Sequence, residues 1–210
     1  MNAINTLILP ITDSQALPLS QAYIQAGKLI VFPTDTLYGL ACDPANPAAL
    51  RSVYAAKGRS TLKALPVLVG ALTQLDQVVQ RVSPQARLLM ERFWPGALTL
   101  VLPKQAHLPS ELTPYPGLAV RMPDHPFTLQ LLQALGPLAV TSANLSDQAN
   151  PQTAQEVFAQ LAGRVDLILD GGKLKIGQAS TVIDCTGAEP ALLRAGPIPF
   201  ETILQTWQEE

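Results

Sequence analysis

Two short segments carry side chains that together suit the phosphates of a nucleotide. Lys57 and Arg59 flank a glycine where a helical pattern stops, and Ser142 and Asn144 follow an apolar run far downstream. Arginine grips phosphate through paired hydrogen bonds, lysine adds a compact charge, and hydroxyl and amide groups bind phosphate oxygens. Neither GxxxxGK[ST] nor GxGxxG occurs in the chain. The pattern predicts a phosphate site of another kind.

Each segment also has a purely structural interpretation. A lysine in the last turn of a helix, followed by glycine, is ordinary C-terminal capping. Ser142 and Asn144 can cap a turn through their own backbone. Thr34 and Asp35, which follow an apolar run that ends in proline, can do the same. The sequence of any one segment leaves both interpretations open.

Arg121 and the two histidines bear on the class of reaction. Arg121 follows an apolar run, where it can clamp a substrate carboxylate or pair with Asp124. His107 and His125 lie too far apart for a helical metal pair, and the chain has no HExxH sequence. No GxSxG elbow surrounds Ser142. The sequence therefore disfavours a protein-bound zinc and a serine hydrolase.

Composition limits the partners. The 210 residues are 48% hydrophobic and 14% charged, with a net charge of −2, which disfavours a tight non-specific binder of nucleic acid. Cys42 and Cys185 lie in apolar surroundings without CxxC spacing, as expected of buried reduced thiols. No leader pattern and no apolar run long enough to cross a bilayer appears. We expect one domain over 1–210, in the cytoplasm, without a membrane partner.

Short apolar runs alternate with segments of helical spacing. The predicted strands are Leu7–Leu9, Leu29–Phe32, Pro66–Val69, Leu98–Leu102, Leu118–Val120, Leu138–Thr141, Leu167–Leu169, Thr181–Ile183 and Leu192–Leu193. The predicted helices are 15–26, 47–56, 71–80, 84–93, 126–135, 154–162 and 200–207. Ser83 before Pro84, and Thr153 three residues before Glu156, are start signals. Without a strict βαβ repeat, the pattern predicts an α/β (α+β) fold on one twisted, mixed sheet.

Several segments in order resemble those of the threonylcarbamoyl-AMP synthase family, whose members carry a YrdC-type domain. The resemblance runs from about Gln25 to about Thr202. It rests on PTDTLYGL, KGR, FWPGALTLVL, LAVRMPDHP, TSAN, DLILDGG, STVID and LLRAGPI. It implies a single YrdC-like domain with a concave cationic cleft flanked by helices, and the short, single-domain branch is the better match.

The resemblance also implies a reaction. Family members condense L-threonine, bicarbonate or CO2, and ATP into threonylcarbamoyl-AMP and diphosphate, and the product feeds the threonylcarbamoyladenosine modification of tRNA. Magnesium would be carried on the triphosphate, with no metal site in the protein and no tightly bound cofactor. The implied partners are the three substrates, with tRNA and the downstream threonylcarbamoyl-transferase machinery as further ones.

Site residues are implied by the same resemblance. The residues implied in catalysis are Lys57, Arg59, Ser142 and Asn144. ATP binding is implied for these four and for Lys63, Asn150 and Arg194. Threonine binding is implied for Thr36, Arg121, Val140 and Ser180. We expect Lys57 and Arg59 to face solvent and phosphate rather than the core.

Two departures from the family and two alternative functions stay open. Longer members often have histidine where Leu68 stands, and many have glutamate where Ala179 stands, so Leu68 offers threonine no polar contact. One alternative is a non-catalytic module of the same fold that binds tRNA or double-stranded RNA. The other is a YciO-like paralogue that acts differently on a threonylcarbamoyl compound.

Overall fold

The computed structural model describes residues 4–174 and 177–209. Within them, one sheet is built from β1 Leu7–Pro10, β2 Ile30–Phe32, β3 Gly39–Cys42, β4 Val67–Leu68, β5 Leu98–Pro103, β6 Gly117–Arg121, β7 Leu138–Ser142, β8 Leu167–Asp170, β9 Thr181–Asp184 and β10 Ala191–Arg194. The helices are α1 Ala16–Gln25, α2 Pro47–Lys57, α3 Pro84–Phe93, α4 Pro126–Leu135, α5 Ala154–Leu161 and α6 Phe200–Trp207, with a 3-10 helix at Leu72–Gln77.

The strand order is β1-β8-β2-β3-β7-β4-β6-β5-β9-β10. Pairs β1/β8, β2/β8, β4/β6 and β5/β9 are parallel, and the other five are antiparallel. The predicted α/β fold on a mixed sheet is confirmed. Helices α2, α3, α5 and α6 bury side chains in one apolar cluster, and α1 and α4 in another.

Two elements differ from the prediction. Strand β3 was not predicted, because Gly39–Cys42 has neither alternation nor β-branched residues. It forms because it pairs with both β2 and β7 and is buried throughout. The other difference lies in 71–80, where a 3-10 helix at Leu72–Gln77 replaces the predicted helix. Its Gln74 bonds the backbone of Gly70 and Leu132, and no side chain caps its start.

The local signals that the sequence offers are mostly confirmed. Ser83 caps α3 and Thr153 caps α5 through side-chain oxygens that accept from the backbone. Cys42 and Cys185 are buried and unbridged, and burial raises the pKa of each thiol to about 12. No helix in 4–174 or 177–209 is long and apolar enough to cross a membrane.

Candidate active site

A cavity of about 350 Å³ opens over the middle of the sheet. Its floor is apolar because Leu68, Ala119, Val140 and Val182 project from four strands to the same face. Polar residues surround this floor at the strand ends, where ligands of α/β proteins commonly bind. Of the predicted site residues, those that line the cavity are Thr36, Arg59, Arg121, Val140, Ser142, Asn150, Ser180 and Arg194.

The charge of this lining is one-sided. Arg59, Arg121 and Arg194 all line the cavity, and no Asp or Glu is among its described lining residues. Low-dielectric walls with one sign of charge attract an oppositely charged ligand. The three arginines therefore favour an anionic ligand in the cavity.

Arg121 ends β6 and is 5% exposed. Its Nε donates to the carbonyl of Gly96 at 2.8 Å, one Nη donates to Thr36 Oγ1 at 2.7 Å, and the other pairs with Asp35. Burial lowers the pKa of Arg121, and the Asp35 charge opposes that shift. The sequence left an ion pair with Asp124 open, whereas the structure pairs Arg121 with Asp35, which the loop after β2 brings to it.

A second polar network lies at the start of the paired strands β5 and β9. Thr99 in β5 and Ser180 before β9 share a hydrogen bond of 2.7 Å between their hydroxyls. Arg194 donates from Nη2 to Ser180 Oγ at 3.1 Å and from Nε to the Ser180 carbonyl at 3.0 Å. Burial lowers the pKa of Arg194. The network holds one arginine and two hydroxyls at the cavity wall.

Arg59 follows α2 at the cavity's other side. Gly58 takes the left-handed conformation, with φ of 61°, and ends the helix, so the predicted capping is confirmed. Arg59 Nη2 donates to the carbonyl of Ala64 at 3.2 Å, while its Nε is buried without a partner among the described residues. Burial lowers the pKa of Arg59. An unpaired buried donor at a cavity wall is suited to an incoming anion.

Lys57 corrects our expectation that it faces solvent. It is 2% exposed and does not line the cavity. Its ammonium instead contacts the segment after β7: it donates to the Ser142 carbonyl, to the Asn144 carbonyl at 2.6 Å and to Asn144 Oδ1 at 3.0 Å. Burial and, less, the charge of Arg59 lower the pKa of Lys57 to about 7. The side chain lies at the back of the segment whose Ser142 lines the cavity.

The remaining predicted residues divide between the cavity wall and other places. Asn150 lines the cavity and is exposed, whereas Lys63 is exposed and Asn144 buried, both outside the lining. His125 caps α4, with its Nδ1 accepting from the Thr128 amide at 3.4 Å. His107 is exposed and lines a different, smaller cavity. Neither histidine is among the residues that line the main cavity.

Sequence reasoning missed three residues that take part in the site. Thr99 was placed only within the predicted strand Leu98–Leu102, and Thr34 and Asp35 were given a turn interpretation. Thr34 does make that turn, since its Oγ1 donates to the Leu37 carbonyl at 2.7 Å, yet it also contacts Thr36 Oγ1 at 3.1 Å and lines the cavity. A threonine inside the apolar run of β5 was the available signal for Thr99, because a buried hydroxyl needs a partner.

Known proteins resemble this chain in sequence. The family model Sua5_yciO_yrdC, described as "Telomere recombination", matches residues 22–196. A threonylcarbamoyl-AMP synthase of Pyrococcus abyssi is 39% identical over 187 residues, which are 88% of this chain and 55% of that protein. A putative threonylcarbamoyl-AMP synthase of Mycobacterium tuberculosis is 39% identical over 183 residues, 87% of this chain and 84% of the relative. The chain thus spans about half the length of the archaeal relative.

Solved structures give the same result. The P. abyssi Sua5 complexed with L-threonine superimposes with a TM-score of 0.89 at 36% identity, covering 97% of this chain and 60% of that one. The E. coli YciO structure gives a TM-score of 0.82 at 25% identity, covering 97% and 100%. In sequence and in fold, the chain belongs to the Sua5/YciO/YrdC family.

Proposed function

We propose that this chain is an L-threonylcarbamoyladenylate synthase, which joins L-threonine, bicarbonate or CO2, and ATP. The observation that carries the proposal is the cavity itself, which collects a buried arginine beside threonine hydroxyls at one end and Arg59 with Ser142 at the other. One end suits an amino acid with a free carboxylate, and the other suits a polyphosphate. The names of the relatives support the same reaction.

Arg121 is the group that we assign to the threonine carboxylate. A guanidinium has five N–H groups, and described residues accept from three of them. The two others have no described acceptor, and we assign them to the carboxylate, which arginine favours in a paired geometry. Ser180 and Thr36, which also line the cavity, are assigned to the polar groups of the same substrate. The backbone at Val140 completes this end.

The nucleotide is assigned to the other end. Arg59 is the cation at this end, Ser142 and Asn150 are neutral polar groups of the cavity, and ATP would bring its own Mg²⁺. Arg194 also lines the cavity, and we assign it to the nucleotide from the threonine end, where it bonds Ser180. The proposal places this ion on the triphosphate, because Mg²⁺ keeps most of its waters and binds readily to substrate phosphates. Lys63, exposed on the loop after α2, is assigned to the outer phosphates, and Asn144 acts through Ser142, whose hydroxyl donates to its Oδ1 at 2.6 Å.

The chemistry needs position and charge more than a base. Threonine's neutral amine adds to CO2 through a new N–C bond and gives a carbamate, with one amine proton released to water. A carbamate oxygen then attacks the α-phosphorus of ATP; the new P–O bond forms, the bond from the α-phosphorus to the oxygen it shares with the β-phosphorus breaks, and diphosphate leaves with that electron pair. Charge grows on phosphate oxygens during this step, and fixed cations lower its barrier. The cavity supplies such cations and lacks a histidine among its described lining residues.

The products define the partners. A threonylcarbamoyl-adenylate is an activated acyl donor, so a threonylcarbamoyl transferase and tRNA are the partners that we propose. A step that consumes ATP and supplies tRNA modification belongs in the cytoplasm, which we propose as its location.

Mass spectrometry tests the proposal directly. The protein is incubated with MgATP, L-threonine and bicarbonate, and we expect diphosphate and threonylcarbamoyl-AMP to appear together, with neither when threonine is omitted. ATP hydrolysis without the adenylate, or no diphosphate at all, would refute the proposal. Consumption of added threonylcarbamoyl-AMP without its synthesis would favour a YciO-like activity, which the full-length match to that fold makes the relevant second candidate.

A further inference from the structure

Lys57 is the cation of this site whose hydrogen bonds are already complete. An ammonium has three N–H groups, and its three acceptors are the Ser142 carbonyl, the Asn144 carbonyl and Asn144 Oδ1. All three belong to one short segment that begins at the last residue of β7. No N–H group is left for a phosphate oxygen, and the side chain is 2% exposed.

The same segment depends on Lys57 through its backbone as well. Ser146 donates its amide to the Lys57 carbonyl at 2.9 Å, so both ends of the lysine hold the segment that begins at Ser142. Asn144 transmits the contact, since its Oδ1 accepts from Lys57 and from the Ser142 hydroxyl, and its Nδ2 donates to the Gln148 carbonyl at 2.7 Å. Ser142 is the residue of this group that lines the cavity.

Arg59 shows the opposite arrangement two residues away. It lines the cavity, and its buried Nε has no partner among the described residues. The two cations of the KGR segment therefore differ in their hydrogen bonding. The lysine donates only to neutral oxygens of the protein, whereas the arginine has a donor without a described partner. Position on the helix explains the difference, because Lys57 is the last residue of α2 and Arg59 follows the left-handed Gly58.

We infer that Lys57 is a positioning residue, whose ammonium fixes the Ser142–Asn144 turn from behind, while Arg59 is the cation of this segment that meets the anionic substrate. The effect of Lys57 on turnover rests on the proposed synthase function. Its role in fixing the turn does not, because that role concerns the protein without ligands. Lys57 thus serves the reaction by holding in place the segment whose Ser142 lines the cavity.

The test compares two lysine-to-methionine variants. Lys57→Met removes the ammonium with little change in length, and Lys104→Met is the matched control, because Lys104 Nζ also donates to loop carbonyls, of Leu108 at 3.5 Å and Thr113 at 3.3 Å, away from the cavity. Amide hydrogen exchange is measured at 143–148 in the ligand-free protein. We expect Lys57→Met to reduce protection there about tenfold or more, and Lys104→Met to leave it unchanged.

Turnover then separates positioning from direct contact. If Lys57 acts through Asn144, the Lys57→Met and Asn144→Ala losses in kcat will not multiply in the double variant, whereas Lys57→Met and Arg59→Met losses will. Unchanged protection at 143–148 in Lys57→Met, with or without loss of turnover, would overturn the inference. A wild-type protein that forms no adenylate would refute the proposed function and leave the exchange result to stand alone.

A measurement on the unaltered protein covers the case in which Lys57→Met fails to fold. In protein labelled with ¹⁵N lysine, we expect saturating MgATP to leave the Lys57 Nζ resonance essentially in place, because its acceptors are protein oxygens before and after binding. A large shift of that resonance, or coupling of it to ³¹P, would overturn the inference.

Discussion

Arg121 and Lys57 are both cations that the fold buries, and their partners differ. Arg121 is paired with a carboxylate, Asp35, and still lines the cavity. Lys57 is surrounded by neutral oxygens of one turn and lies behind the cavity wall. A buried charge requires an opposite charge or a full set of hydrogen bonds. The two arrangements have different consequences, because the arginine keeps donors for a ligand whereas the lysine gives all of its donors to the protein.

Arg59 gives the largest expected effect and tests which cation meets phosphate. Arg59→Met should lower kcat/KM for ATP about a hundredfold, because it removes a charge-assisted contact that strengthens as charge develops on phosphate oxygens. Its fold should persist, since the guanidinium makes one described hydrogen bond, to Ala64. Steady-state diphosphate release measures the effect, with Arg51→Met, an exposed arginine of α2, as the control. Near wild-type kinetics for Arg59→Met would show that Arg59 is not the cation that contacts phosphate.

Asp35 gives the next largest effect and tests the carboxylate clamp, by which we mean Arg121, held by Asp35, binding the carboxylate of threonine. Asp35→Asn keeps the shape of the side chain and removes the charge that holds one Nη of Arg121. We expect KM for threonine to rise about tenfold, from the loss of about 1.5 kcal/mol of charged hydrogen bonding, while KM for ATP changes little. Arg121→Lys should act in the same direction, because lysine lacks the paired geometry.

Asp124→Asn is the control for the clamp. Asp124 lies close to Arg121 in sequence, with Met122 and Pro123 between them, and no described hydrogen bond joins the two residues. An equal effect of Asp35→Asn on both substrates, or threonine amide serving as well as threonine in the wild type, would contradict the assignment of Arg121 to the carboxylate.

Lys57 and Arg121 also show how much of the site could be predicted from the sequence. The KGR and TSAN segments point to one site, and the structure does place Arg59 and Ser142 on one cavity wall. The direction of Lys57 could not be predicted, because a lysine before a glycine at a helix end has the same pattern whether its ammonium reaches water or a neighbouring turn. That neighbouring turn is near because β3 joins β2 to β7, and β3 was the strand without a pattern.

The pairing of Arg121 with Asp35 is also something that the sequence could not predict. Thr36 and Arg121 were assigned to threonine from the resemblance, but Asp35 was given a turn interpretation, since Asp after proline and threonine is common in turns. Only the register that places the end of β6 beside β4 brings Arg121 to the loop after β2. Contacts across 86 positions of sequence come from sheet order, which local spacing does not encode.

The histidines give a smaller effect and test the absence of a general base. His125→Ala and His107→Ala should each retain at least about a tenth of wild-type kcat, because neither imidazole lines the cavity. His125→Ala should cost stability, as its ring caps α4. Turnover at a temperature well below the unfolding midpoint separates the two effects. A folded His125→Ala protein that binds ATP and forms no adenylate would point to base catalysis instead.

Lys57 also affects stability, through its dependence on pH. Its pKa is about 7 in the folded protein, lowered from 10.5, so between these values the unfolded chain binds more protons than the folded one. The free energy of unfolding therefore gains a rising contribution from Lys57 between about pH 7 and 10.5. Below that window both states carry the charge and the cost of burying it is complete; above it that cost is gone.

Urea unfolding from pH 7 to 10 measures this slope. Lys57→Met should remove it, so the variant gains less stability than the wild type as pH rises. Arg121→Met should keep it, because arginine stays protonated throughout and contributes no titration there. The same slope in the wild type and in Lys57→Met would mean that the three oxygen acceptors, which favour the ammonium, outweigh its burial. In that case Lys57 and Arg121 would both be permanent charges, distinguished by their partners alone.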